Sequence, residues 1–139
     1  MNKKIKIFKL DKINSQEGSI IKFINKKSDF FKNFGELYFS TVKYNVEKKW
    51  RYHNKMHLNI MVIKGIIEFY FYDEKNNSVE KKNRIICRES SPTCISIAPK
   101  IWFKFKGISK KENMLINFSN ILHDPQEYKF SDEINDLWK

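Results

Sequence analysis

An all-β fold, a sandwich or a barrel in one domain spanning residues 1–139, follows from three observations. Short apolar runs rich in β-branched and aromatic residues recur along the chain, roughly nine to eleven of them at regular spacing. Each run is punctuated by Gly, Pro, Asn or Ser in the positions that turns demand. No long stretch shows the 3.6-residue period of an amphipathic helix.

In order, Ile5 to Leu10 reads as a first strand at a sheet edge, its lysines blunting that edge. Gln16 to Ser19 is a turn and Ile20 to Ile24 a second strand. Lys26 to Phe34 is either a single helical turn or a loop that packs Phe30, Phe31 and Phe34. Gly35 opens a strand over 36–43, and Tyr44-Asn45 turns the chain into the densest stretch, 48–56. Strands over 58–64 and 66–73 follow, with Gly65 between them read as a tight hairpin or bulge. Ile67, Phe69 and Phe71 form a core face, while Glu68, Tyr70 and Tyr72 are wet or line a cavity. After the turn at 74–77 a strand ends near Cys87; Thr93 to Ala98 is extended, Pro99-Lys100 turns, and Ile101 to Phe105 and Met114 to Phe118 are the last strands. The tail from Asp124-Pro125 has room for a short helix.

Composition narrows the function classes. Apolar content of 41% and aromatic content of 15% mark a folded domain. The net charge of +11 would suggest nucleic acid, but Lys outnumbers Arg by 24 to 3 and the lysines are spread through every segment rather than gathered in a stripe. That pattern fits an AT-rich coding bias, and no nucleic-acid partner is expected. No window approaches the ~18 apolar residues of a membrane span, and Lys6 and Lys9 interrupt the only N-terminal apolar run, so neither a membrane association nor a signal peptide is expected. Cys87 and Cys94 make neither a zinc site nor a disulfide framework, which predicts reduced thiols in a cytoplasmic protein.

The stretch Lys48-Lys49-Trp50-Arg51-Tyr52-His53-Asn54-Lys55-Met56 carries the functional signal. Strand alternation puts Arg51 and His53 on one face and Trp50 and Tyr52 on the other. An imidazole beside a guanidinium presents an acid–base group with an anion holder. His57 shares their parity only across an intervening turn, and His123 before Asp124-Pro125 reads as loop structure.

The ordered set of features over residues 35–139 resembles one family. It comprises Gly35 to Lys43, Lys48 to Met56, Gly65, Tyr72-Asp73, Ala98-Pro99-Lys100-Ile101-Trp102, Phe105-Lys106-Gly107, His123-Asp124-Pro125 and Asp136-Leu137-Trp138. These resemble the cupin-fold nucleotide-sugar enzymes related to dTDP-4-dehydrorhamnose 3,5-epimerase, and are also similar to the sugar 3,4-ketoisomerases. The resemblance implies a cupin double-stranded β-helix jelly roll, a homodimer, and a pocket inside the barrel. It also implies a nucleotide-linked 4-keto sugar as substrate and a place in surface polysaccharide or glycoconjugate biosynthesis.

The departures from the family matter. Arg51 stands where the epimerases have the base His, Asn117 where they have the partner Tyr, and Phe103 where a further His is common. Arg does not release its proton at usable pH. His53 matches the second His of the ketoisomerases' His-x-His and is the expected base, with Arg51 holding anionic oxygen. Lys43, Lys48 and Lys55 are candidates for the diphosphate; Tyr38, Tyr70 and Tyr72 for base stacking or acid; Trp102 and Asn117 complete the substrate-binding set. Tyr70 and Tyr72 read equally as finishing a second packed face, and Trp50 and Trp102 as core or dimer-interface aromatics. The metal-binding cupins use His-x-His, a nearby Glu and a later His, a set missing here, so no metal and no cofactor are expected. The expected activity is epimerisation or isomerisation by proton abstraction, with a catalytically degenerate nucleotide-sugar or glycan binder as the alternative.

Overall fold

The computed structural model describes residues 1–139. Twelve strands and one short helix follow one another along the chain: β1 (Ile5–Lys9), β2 (Lys12–Asn14), β3 (Ser19–Ile21), β4 (Glu36–Thr41), β5 (Arg51–His53), β6 (Leu58–Lys64), β7 (Ile66–Tyr72), β8 (Lys82–Arg88), β9 (Thr93–Ile97), β10 (Trp102–Gly107), β11 (Met114–Ser119), β12 (Tyr128–Phe130) and α1 (Ile134–Trp138). Two five-stranded sheets result, ordered β1-β9-β6-β11-β4 and β12-β5-β10-β7-β8, with β2 and β3 forming a separate hairpin. Every strand pair is antiparallel. This is a jelly roll, two sheets closed face to face.

The core between the sheets takes alternate residues from both. Leu58, Ile60 and Val62 of β6, Ile95 and Ile97 of β9, and Leu115 of β11 meet Ile67, Phe69 and Phe71 of β7 and Phe103 of β10. Burying one such side chain stabilises by about 1.5–3 kcal/mol. The core face expected on β7 is therefore correct. On its other face packing, not solvent or a cavity, takes the tyrosines: Tyr72 joins Trp50, Tyr52, Trp102 and Ile134 in a second cluster on the outside of the second sheet, with Tyr70 and Trp138 packed against it. The expected tail helix is α1, and it is what covers that face. Asn135 fastens it, its Oδ1 accepting from Trp50 Nε1 at 2.8 Å and from Lys104 Nζ at 3.3 Å.

Two open local readings are resolved, and two short strands join those expected. Gly65 makes no hairpin, because β6 and β7 lie in different sheets; it is the corner where the chain crosses between them. Its φ of +74° and the Glu112 carbonyl 2.3 Å from any added Cβ both require glycine. The bulge lies just before it, where the β11–β6 register shifts between Met114 and Leu115. Residues 26–34 form turns with no helix. They pack as the loop reading expected: the Phe8 and Phe30 rings stand 4.7 Å apart and Asn59 Nδ2 donates to Phe30 O at 2.9 Å. Two three-residue strands, β2 and β12, are too short to leave a periodic signal. No helix is long and apolar enough to cross a membrane.

Candidate functional site

β5 is only three residues long, yet it is paired on both sides. Phe103 of β10 and Phe130 of β12 stand opposite Arg51, and Tyr128 opposite His53. Cross-strand neighbours share a face, so Arg51, His53, Phe103, Tyr128 and Phe130 all point inward while Tyr52 and Trp102 point outward. The sequence reading of the alternation holds.

Two adjoining cavities open on the inward face. One, about 280 Å³, is lined by Tyr38, Ser40, Lys48, Lys49, Arg51, Phe103, Phe105, Asn117 and Phe130 among others. The second, about 270 Å³, holds His53 with Glu36, Met56, His123 and Tyr128. Tyr38 and Arg51 belong to both, so they form the boundary between the two.

His53 is 5% exposed, and its partner is a residue that sequence reasoning missed. Glu127, 4% exposed, accepts a hydrogen bond from His53 Nδ1, while its second oxygen accepts from the backbone N–H groups of Lys55 at 3.0 Å and Met56 at 3.2 Å. Nδ1 therefore carries the proton and Nε2 the lone pair. Nε2 is buried and has no partner within the protein. Burial lowers the His53 pKa, against the raising influence of Glu127, and Arg51 and His123 lower it further. Burial would raise the Glu127 carboxyl, but the His53 hydrogen bond and the two backbone donors outweigh it and hold the pKa below its ordinary value. The pair is a neutral imidazole oriented by a buried carboxylate, the arrangement of a general base. Only the partner's long sequence separation hid it: Glu127 lies just ahead of β12, and nothing local marks it.

Arg51 makes no ion pair. Its guanidinium carbon sits 5.6 Å from the Tyr128 ring centroid and 5.0 Å from that of Phe130, contacts that hold a cation without neutralising it. The charge remains available to an anion in either cavity. Burial raises the pKa of Tyr38, which Arg51 partly offsets, so the phenol keeps its proton. Asn117 Nδ2 donates to Ser40 Oγ at 2.9 Å and Tyr38 O at 3.4 Å, tying β11 to β4 beside the cavity.

The remaining sequence candidates separate. Lys48 lines the larger cavity, joined by Lys49. Lys43 lies in a different hollow with Thr41, Lys111 and Glu112. Lys55 is exposed and contributes its backbone N–H rather than its ammonium. Tyr70, Tyr72 and Trp102 are on the outer face, in or against the aromatic layer under α1, because the inward face of their strands is already the core face. His123, expected to be loop structure, does lie in a loop, and its ring also reaches the smaller cavity, 5.1 Å from that of Tyr128. His57 turns outward, its Nε2 2.7 Å from Ser96 Oγ. The donor set does not suit a metal: no three His, Cys, Asp or Glu side chains converge anywhere in the chain.

No protein-family model and no curated protein matches the sequence. Solved structures do. A dTDP-sugar isomerase from Desulfovibrio desulfuricans superposes with a TM-score of 0.84 at 23% identity, over 93% of this chain and 84% of that one. A variant of QdtA, a 3,4-ketoisomerase from Thermoanaerobacterium thermosaccharolyticum in complex with TDP-4-keto-6-deoxyglucose, gives 0.80 at 16%, over 96% and 92%. ChmJ, a 3'-monoepimerase from Streptomyces bikiniensis in complex with dTDP-quinovose, gives 0.85 at 8%, over 97% and 73%. The fold read from the sequence is thus the fold observed: the chain is a cupin jelly roll of the kind these sugar isomerases and epimerases share.

Proposed function

We propose that the chain is an isomerase or epimerase acting on a nucleotide-linked 4-keto sugar by proton transfer, with His53 as the base. The observation that carries the reading is the buried Glu127–His53 pair, which leaves an unpartnered Nε2 on a residue that lines the cavity. A proton on the carbon next to a ketone is weakly acidic. As His53 Nε2 takes it, the C–H electron pair becomes the C=C bond of an enolate and the carbonyl electrons move to oxygen. Arg51 is free to hold that oxygen or a phosphate. Returning a proton to the same carbon from the other side inverts it; returning one to the former carbonyl carbon, while the neighbouring hydroxyl gives up its proton to the enolate oxygen, moves the ketone. Tyr38, kept protonated by burial, is the donor the cavity offers besides the base itself. Lys48 and Lys49 at the larger cavity suit a diphosphate, and Phe103, Phe105 and Phe130 suit a sugar or base face.

The proposal extends to a homodimer in surface polysaccharide or glycoconjugate biosynthesis, in the cytoplasm. Exposed Leu37 and Phe39 on the edge strand β4, with Phe34 just before it, at 46%, 59% and 64%, support a covered face in the assembly. Both cysteines are free, consistent with a reducing compartment.

The test is incubation with several nucleotide-linked 4-keto-6-deoxy hexoses in deuterated water. Deuterium should enter C3 or C5, and His53→Asn should abolish the exchange with the fold intact. Thermal stabilisation by these sugars without any exchange would refute the enzyme and leave a binding protein.

A further inference from the structure

A third hollow, about 350 Å³, lies on the opposite side of the first sheet from the core. Its walls are the N-terminal strand and the 29–32 loop, carrying Lys3, Lys4, Lys6 and Lys32 against a single acid, Asp29. Its floor is His57 with the buried Ser96. Lys4 is engaged, its Nζ 3.4 Å from Asp73 Oδ1. Lys3, Lys6 and Lys32 are not: none has a carboxylate within ion-pair range, Asp29 included.

Three ammonium groups around one concavity repel each other, and their field reaches the floor. Burial lowers the His57 pKa to about 4, and Lys32 and Lys6 both push in the same direction, with an Asn59 hydrogen bond opposing. Scattered lysines on a convex surface would be solvated individually. Here they line a hollow floored by the His57–Ser96 pair, 2.7 Å apart, whose hydroxyl keeps hydrogen-bonding capacity beyond that contact. A ligand with two negative charges would offset the lysine charge and give the Ser96 hydroxyl an acceptor.

We propose that this hollow is an anion site for a phosphoryl group, distinct from the sugar cavity, with Lys3, Lys6 and Lys32 as counter-charges and His57 and Ser96 at its floor. It is independent of the proposed reaction, because none of its residues lines either cavity beside β5. Occupancy by a dianion reverses the field on His57 and so raises its titration midpoint.

The probe is inorganic phosphate, titrated at constant ionic strength while the His57 ring is followed by NMR. Saturable shifts at His57 and a higher His57 midpoint are expected. The double variant K6E/K32E should weaken binding by about tenfold or more, and the milder K3Q/K32Q should weaken it less, with both folded by circular dichroism. His53→Asn should leave phosphate binding unchanged, which separates this site from the catalytic reading. Glycerol phosphate in place of phosphate identifies the source: tighter binding points to a phosphorylated metabolite, equal binding to the free ion. Equal shifts from chloride at matched ionic strength, or full affinity in K6E/K32E, would overturn the proposal.

Discussion

Glu127→Gln keeps the size of the side chain and removes its charge, and the geometry shows why an amide cannot replace the carboxylate. One carboxylate oxygen accepts from His53 Nδ1 and the other from two backbone N–H groups. An amide has one acceptor end. If its oxygen faces His53, its NH₂ points at the donors of Lys55 and Met56; if it turns, the NH₂ meets Nδ1 and the imidazole proton must move to Nε2. The first arrangement leaves buried donors unpaired at about 1–3 kcal/mol. The second removes the lone pair that takes the substrate proton. Exchange from deuterated water should therefore fall by about 10²–10⁴-fold, the scale of a general base's contribution. A pH profile gives a second readout. In the parent, exchange rises with pH through the His53 midpoint, which burial places below its ordinary 6.5, and is flat by neutrality. Without the carboxylate the opposing, raising influence is gone, so the rising limb moves to lower pH as the plateau falls. A folded E127Q protein with the parent's rate and profile would refute the positioning role.

Two further predictions concern stability. His57 titrates near 6.5 when unfolded and at about 4 when folded, so its contribution is present above 6.5 and is lost as pH falls toward 4. In phosphate-free buffer the loss should reach up to about 3 kcal/mol at 1.36 kcal/mol per unit, and urea midpoints should show His57→Gln flattening that limb relative to the parent. Ile134→Ala uncovers Trp50 and Trp102 where α1 seals them and should cost about 2–5 kcal/mol, read from tryptophan fluorescence during denaturation.

Much of this was legible in the chain because β-structure has a period of two. That period placed Arg51 and His53 inward and Trp50 inward's opposite, and it identified the Ile67, Phe69, Phe71 core face. For Tyr70 and Tyr72 it assigned a second face and left packing and substrate contact both open, because a period of two does not say whether solvent, substrate or α1 covers that face. The clue was present in the tail, where Ile134 and Trp138 stand one helical turn apart. Glu127 was out of reach for a different reason. It meets His53 across 74 residues of chain, and pairing of the three-residue β12 with β5 brings them together.

The two-sided pairing of β5 has a consequence for how such a protein can diverge. Reactive side chains and the aromatic layer under α1 sit on alternate residues of one three-residue strand. Substitutions at 51 and 53 change chemistry without entering the outer layer, and those at 50 and 52 adjust robustness without entering the cavity. Exchange at 51 and 53 is therefore compatible with a strand that stays anchored.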